Sequence, residues 1–233
     1  TANIDIVTKT DRPGIDIIIA PGTKNESVHI PVVVSQTGLK DLVYNDFYIG
    51  ENADVVIIAG CGIHCAGAQE TSHDGIHTFH VGKNARLRYV EKHYGEGEGR
   101  GKRVMNPTTI VHLAEGAAME METTQISGID DTIRETSGDL AEGAVGVLHT
   151  GQEGQGRVHS RLHLSIFIVG GQGLHGHGGH VHIRDLGGGD DRPAAVLPLG
   201  IQDGPDQLLP GHVAGDGIVM AVQSQQGPHG TVD

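Results

Sequence analysis

The phrase Gly50-Glu51-Asn52-Ala53-Asp54-Val55-Val56-Ile57 returns as Gly82-Lys83-Asn84-Ala85-Arg86-Leu87-Arg88-Tyr89-Val90, and again as Glu115-Gly116-Ala117-Ala118-Met119-Glu120-Met121. A fourth start is Glu142-Gly143-Ala144, so the alanines at 53, 85, 117 and 144 are spaced by 32, 32 and 27 residues. Each phrase opens on turn chemistry, because Gly and Asn accept positive φ at little steric cost. Each then alternates. Leu87 and Tyr89 fall on one parity and Arg86 and Arg88 on the other, while Met119 and Met121 alternate with Ala118, Glu120 and Glu122. A period of two marks a strand with one buried face.

Outward from these phrases lie other strand-like runs at 4–7, 15–20, 27–34, 55–59 and 108–113, separated by clusters of Gly, Pro, Asn and Asp. Helical spacing is absent from this part. Short strands with turns at a fixed period are what stacked β-coils require, since each coil buries its apolar edge only against its neighbours. Aromatic residues are 3% of the chain, Trp is absent and Gly numbers 37, which suits a narrow interior of small and β-branched side chains. A β-sandwich also has short alternating strands, but it does not repeat a turn sequence at constant spacing. The sequence predicts an all-β fold of the β-solenoid type.

The chain changes character near Ala144. All six lysines, all four tyrosines and 12 of the 16 basic residues precede it, whereas residues 145–233 hold 20 Gly, nine His and eight Gln. Two units are therefore expected: a solenoid core over 1–144, and a Gly/His/Gln-rich segment over 145–233. The second unit is either further β coils, or disordered chain, or a stretch read outside the gene's true frame. One echo of a late coil survives in it, around Gly211-His212-Val213, Asp216 and Ile218-Val219-Met220.

With 16 Lys+Arg against 29 Asp+Glu, the formal charge is −13, the wrong sign for nucleic-acid or anionic-membrane binding. No run approaches the ~20 apolar residues of a membrane span. The two cysteines are not a disulfide framework, and Thr1 to Lys9 carries no signal-peptide pattern. A cytoplasmic location is expected.

Several motifs carry a family likeness. Ala59-Gly60-Cys61-Gly62-Ile63-His64, His73-Asp74-Gly75-Ile76-His77-Thr78-Phe79, Gly82-Lys83-Asn84-Ala85, Glu91-Lys92-His93 and Thr123-Thr124-Gln125-Ile126-Ser127-Gly128-Ile129-Asp130 resemble, in order and in phase with the repeat, the SufB/SufD family of iron–sulfur cluster assembly. The resemblance covers roughly residues 1–144. It implies a right-handed parallel β-helix, an ABC-type ATPase partner (a SufC-like subunit), and a homo- or hetero-dimer with a SufB/SufD-like subunit. It also implies a role in building and handing over iron–sulfur clusters without catalysis by this chain itself. After Ala144 the pattern departs: the family's closing ATPase-docking segment has no counterpart here.

Cys61, His64, Cys65, His73, His77 and His80 form the densest group of soft and borderline ligands for iron, iron–sulfur clusters or zinc. In extended chain Cys61 and Cys65 share a face that His64 does not, and His73 aligns with His77 while His80 points away. The alternative is that both cysteines are small buried residues of a coil interior and that His73 and His77 belong to a solvated loop. Glu96-Gly97-Glu98-Gly99-Arg100-Gly101-Lys102 is glycine-rich, but it is followed by Arg103-Val104-Met105-Asn106-Pro107 and not by a helix, so it predicts a flexible hairpin-like excursion and not a phosphate loop. Carboxylates such as Glu120, Glu122, Asp130 and Asp131 are expected on the wet face. Leu174-His175-Gly176-His177-Gly178-Gly179-His180-Val181-His182 is a His-rich tract of the kind that takes up Ni, Zn or Cu.

Three functions follow. The first is an iron–sulfur assembly scaffold. The second is a metal-binding β-solenoid using the group from Cys61 to His80. The third is a carbohydrate-active β-helix enzyme, which seven aromatic residues in the whole chain serve poorly.

Overall fold

The structure, a computed structural model, describes the backbone of residues 1–152, 157–165 and 217–221 and the side chains of residues 1–148. Every regular element among the described residues is a strand. The chain runs β1 (Ile4–Thr8), β2 (Gly14–Ile19), β3 (Lys24–Val34), β4 (Lys40–Ile49), β5 (Asp54–His64), β6 (Thr71–Val81) and β7 (Arg86–Glu96). It continues as β8 (Arg103–Met105), β9 (Thr108–Leu113), β10 (Ala118–Ser127), β11 (Asp131–Leu140), β12 (Val145–Gln152), β13 (Arg157–Ser165) and β14 (Gly217–Ala221). No helix among these residues is long and apolar enough to cross a membrane.

Successive strands feed two sheets alternately. One has the order β1-β2-β4-β6-β8-β11-β13, with β9 between β6 and β11, and the other the order β14-β12-β10-β7-β5-β3. Apart from the two flanking strands, β1 on β2 and β14 on β12, the pairings are parallel. This is the β-solenoid predicted from the repeat, with about four turns. The stacking runs past Ala144 through β12 and β13. The late echo in the sequence maps partly onto β14, which lies antiparallel along β12 and is therefore not a further parallel coil.

The repeated phrase is the corner of each coil. Ala53, Ala85, Ala117 and Ala144 stack as a buried ladder, each at most 1% exposed. The residue before each has positive φ: Asn52 58°, Asn84 55°, Gly116 67° and Gly143 68°. Each alanine N–H donates back to the carbonyl three residues earlier, at 3.0–3.2 Å, the arrangement of a type II turn. The first coil uses Gly22 and Thr23 in the same places, a member of the ladder that the phrase itself does not reveal. The corner works because a small side chain fits the inner radius, and because Asn or Gly takes the left-handed residue without the strain a β-branched residue would suffer.

Behind the corner the interior is apolar. Ile17, Phe47, Phe79 and Val111 occupy matching positions on β2, β4, β6 and β9, and the Phe47 and Phe79 rings lie parallel at 4.4 Å. Tyr89 meets Phe79 edge-on at 4.8 Å. A second apolar cluster of Val34, Cys61, Ile63, Met105 and Ile129 closes the far side of the coils. At the N-terminal end Lys9 bonds Asp16 and Asp46, the latter at 2.6 Å, which ties β1 and the turn after it onto the outer face.

The coil period shortens from 32 to 27 in the connection between sheets. Residues 65–70 and 97–102 make the long connections, and residues 128–130 the short one. The glycine-rich run is not the hairpin-like excursion the sequence suggests. It lies flat on the connection beneath it: Gly99 N–H bonds the Cys65 carbonyl at 2.9 Å and Gly101 N–H bonds the Gly67 carbonyl at 3.0 Å. A Cβ on Gly101 would stand 2.0 Å from the Gln69 carbonyl oxygen. Gly101→Ala is therefore expected to destabilise the fold by about 1–3 kcal/mol through overpacking against fixed backbone. Gly60, whose added Cβ meets nothing within 4 Å, is the control, and its alanine variant should melt like the parent. Equal melting temperatures for the two variants would refute the packed-loop description.

Candidate functional site

Between its two apolar clusters the lumen turns polar. The change occurs along individual strands. Inward residues of β7 pass from Leu87 and Tyr89 to Glu91 and His93, and those of β10 from Met119 and Met121 to Thr123 and Gln125. On the opposite sheet His73 and His77 face in from β6, and Thr132, Arg134 and Thr136 from β11. Parallel register stacks like positions: Ala59, Glu91 and Thr123 form one ladder, and Cys61, His93 and Gln125 the next.

Glu91 is the hub. Its carboxylate accepts from Arg134 Nη2 at 2.9 Å, from the Tyr89 hydroxyl at 3.0 Å and from Thr123 Oγ1 at 3.1 Å. His93 Nε2 stands 3.4 Å away and His77 Nδ1 3.5 Å away. Burial alone would raise the Glu91 carboxyl, but His93 and Arg134 outweigh it and hold the group well below the usual carboxylate range. The Tyr89 hydroxyl gives its one proton to Glu91, so His77 Nδ1–H donates to the phenol oxygen at 3.1 Å. His77 Nε2 then accepts from the Asn45 amide at 3.4 Å. That tautomer is assigned from the network. Burial brings His77 down to about 4, against a partial pull upward from Glu91, so the ring is neutral at physiological pH. Among the described residues His93 Nδ1, Gln125 Nε2 and Arg134 Nη1 are buried without a hydrogen-bond partner. The lumen thus keeps polar capacity that its own side chains do not use.

The six predicted ligands do not come together. Cys61 faces the lumen in register with His93; burial, with Glu91 adding to it, pushes its thiol up to about 12. It is protonated at neutral pH and is neither a nucleophile nor a thiolate ligand in this state. Cys65 lies beyond the end of β5, buried, with its sulfur 3.5 Å from the Gly101 carbonyl oxygen and 3.6 Å from that of Gly67. His64 points outward and meets Glu96 at 3.3 Å. His73 is buried, not in a solvated loop, and bonds Asp41 at 2.7 Å. His77 belongs to the Glu91 network, and His80 sits on the outer face, stacked on Tyr48. The alternation expected for β6, with His73 and His77 on one side and His80 on the other, holds. No three His, Cys, Asp or Glu side chains among the described residues form a metal-binding group. The His-rich tract from His175 to His182 lies outside the described residues.

Glu91 and Arg134 are the residues the sequence reading passes over. Parity announces both: Glu91 shares it with Leu87 and Tyr89, and Arg134 with Thr132 and Leu140. No family model matches the chain, and no curated protein or solved structure matches it.

Removing one member of a buried ion pair leaves the other charge uncompensated. Glu91→Gln should therefore cost roughly 3–5 kcal/mol of stability, and a loss under ~1 kcal/mol in urea unfolding would show that the pair is not the hub. The pH dependence has a defined sign. The unfolded chain protonates His77 near 6.5 while the folded one resists until about 4. Stability from this group is complete above the unfolded value and is lost as pH falls through that window, by about 3 kcal/mol at most. Glu91 extends the loss to lower pH. Unfolding free energy measured against pH should show this slope, and His77→Gln should flatten it. Iodoacetamide at mildly alkaline pH should leave Cys61 unmodified in the folded protein and alkylate it in urea.

Proposed function

We propose that the chain is a cytoplasmic scaffold component of an iron–sulfur cluster assembly complex, without catalysis of its own. It acts with an ABC-type, SufC-like ATPase and pairs with itself or a related SufB/SufD-like subunit. One observation supports the reading: four of the five motifs that resemble the family each turn residues into the polar lumen. Cys61 comes from the first, His73 and His77 from the second, Glu91 and His93 from the fourth, and Thr123 and Gln125 from the fifth, and all face the polar lumen. A coil interior that served stability alone would be filled with apolar side chains, because a buried charged network is seldom better than well-packed hydrocarbon. Iron and sulfide are cargo in this reading.

Hydrolysis of ATP belongs to the partner. The glycine-rich run 97–102 spends its N–H groups on the connection beneath it and is followed by strand β8, so it offers no helix N-terminus to a phosphate. The carbohydrate reading is poorly served by the outer face. The rings of Tyr48, His80 and His112 stack on each other, which occupies the faces that a sugar would need.

The test is co-expression of the full chain with an ABC-type ATPase subunit, followed by anaerobic purification. The expected result is co-elution with the ATPase, and iron with acid-labile sulfide in comparable amounts after reconstitution. Zinc or nickel without sulfide would favour a plain metal-binding protein, and retention of neither ATPase nor sulfide would overturn the scaffold reading.

A further inference from the structure

On the outer face of the first sheet, away from the lumen, Ile18, Tyr48, His80, His112 and Asp139 stand in register on β2, β4, β6, β9 and β11. The Tyr48 and His80 rings are parallel at 4.9 Å, and His80 and His112 lie 5.1 Å apart with 19° between their planes. Asp139 Oδ2 is 3.1 Å from His112 Nδ1. The line borders an open groove of about 740 Å³ that also takes in Pro21, Gly50, Gly82 and Ala114 of the corner layer. We propose that His80 and His112 form a two-imidazole site for a borderline divalent metal ion of the zinc, nickel or copper class, with its remaining coordination positions open to this groove.

Three observations carry the proposal. Neighbouring parallel strands are about 4.8 Å apart, so side chains in register can converge on one ion about 2.0–2.1 Å from each ring nitrogen. The convergence needs only rotation of the rings about χ2, a soft torsion in histidine. Asp139 Oδ2 lies near enough to His112 Nδ1 to accept its proton when the ring turns onto an ion, the position of a carboxylate behind a metal-ligating histidine. His80 lies half-buried between the rings of Tyr48 and His112, which keeps it in line with its partner imidazole. The chain's formal charge of −13 favours a cation. Two protein ligands, with water completing the shell, suit exchangeable binding at micromolar concentrations and not a structural ion. This site is independent of the scaffold reading, and shares only His80 with the ligand group expected from sequence.

The experiment follows individual imidazole resonances of the full, chelator-treated protein by NMR during titration with nickel chloride, assigned with His80→Asn and His112→Asn. Reading single rings keeps the site apart from metal taken up by His175, His177, His180 and His182. The His80 and His112 signals should broaden first, below equimolar nickel, while His64, exposed on the other sheet, is unaffected. His112→Asn should abolish the His80 response with unchanged thermal melting, and Asp139→Asn should weaken binding about tenfold. The proposal is overturned if His80 and His112 respond no earlier than His64, or if the His80 response survives in the His112→Asn protein.

Discussion

Parallel, in-register hydrogen bonding between coils is the constraint from which the rest of this structure follows. A strand inside such a stack gives its backbone groups to the coil before it and the coil after it, and has no other way to satisfy them. Once the register is set, each residue lies beneath its counterpart one period later. Side chains are then organised as ladders along the axis, and a substitution is felt by the rungs above and below. The alanine corner, the ring stack of Phe47 and Phe79 and the outer line ending at Asp139 are three expressions of this rule.

The same rule makes a charged interior costly and orderly. Glu91 cannot leave its ladder, so its neighbours have to be chosen to suit it. Thr123 stands on the next coil, Tyr89 two residues away on the same strand, and Arg134 reaches across from the opposite sheet. The desolvation of one carboxylate is offset by a guanidinium and several hydrogen bonds, which holds the network in a single arrangement. Polar ladders between two apolar clusters divide the lumen into zones of different chemistry, and the protonated thiol of Cys61 sits where the polar and apolar zones meet.

The fold was readable because its signal is local and repeated. A turn phrase at constant spacing and a period of two suffice for coils, and the spacing places Ala53, Ala85, Ala117 and Ala144 on one line. The site was less readable, for physical reasons. Residues close in sequence, from Cys61 to His80, are divided among inward positions, outward positions and the connection between the sheets. Residues that do meet are far apart along the chain: Arg134 is 43 positions from Glu91. Charge also misleads. Glu91 shares the inward parity of Leu87 and Tyr89 although a carboxylate ordinarily belongs on a wet face, and only a partner from a distant coil resolves the conflict. His80 finds its neighbour one full period away in His112, beyond the reach of any short motif.

The two stacked connections, 65–70 and 97–102, have a bearing on how such chains diversify. Each presents backbone carbonyls or amides that the other satisfies, with glycine where the approach is closest. An insertion in one alone would strand the donors of its mate, so the two lengths are inherited as a pair. The short connection at 128–130 is held to the coil beneath by the Asp130 N–H on the Arg103 carbonyl at 2.9 Å, so a change of length there strands fewer backbone donors than one in the stacked pair.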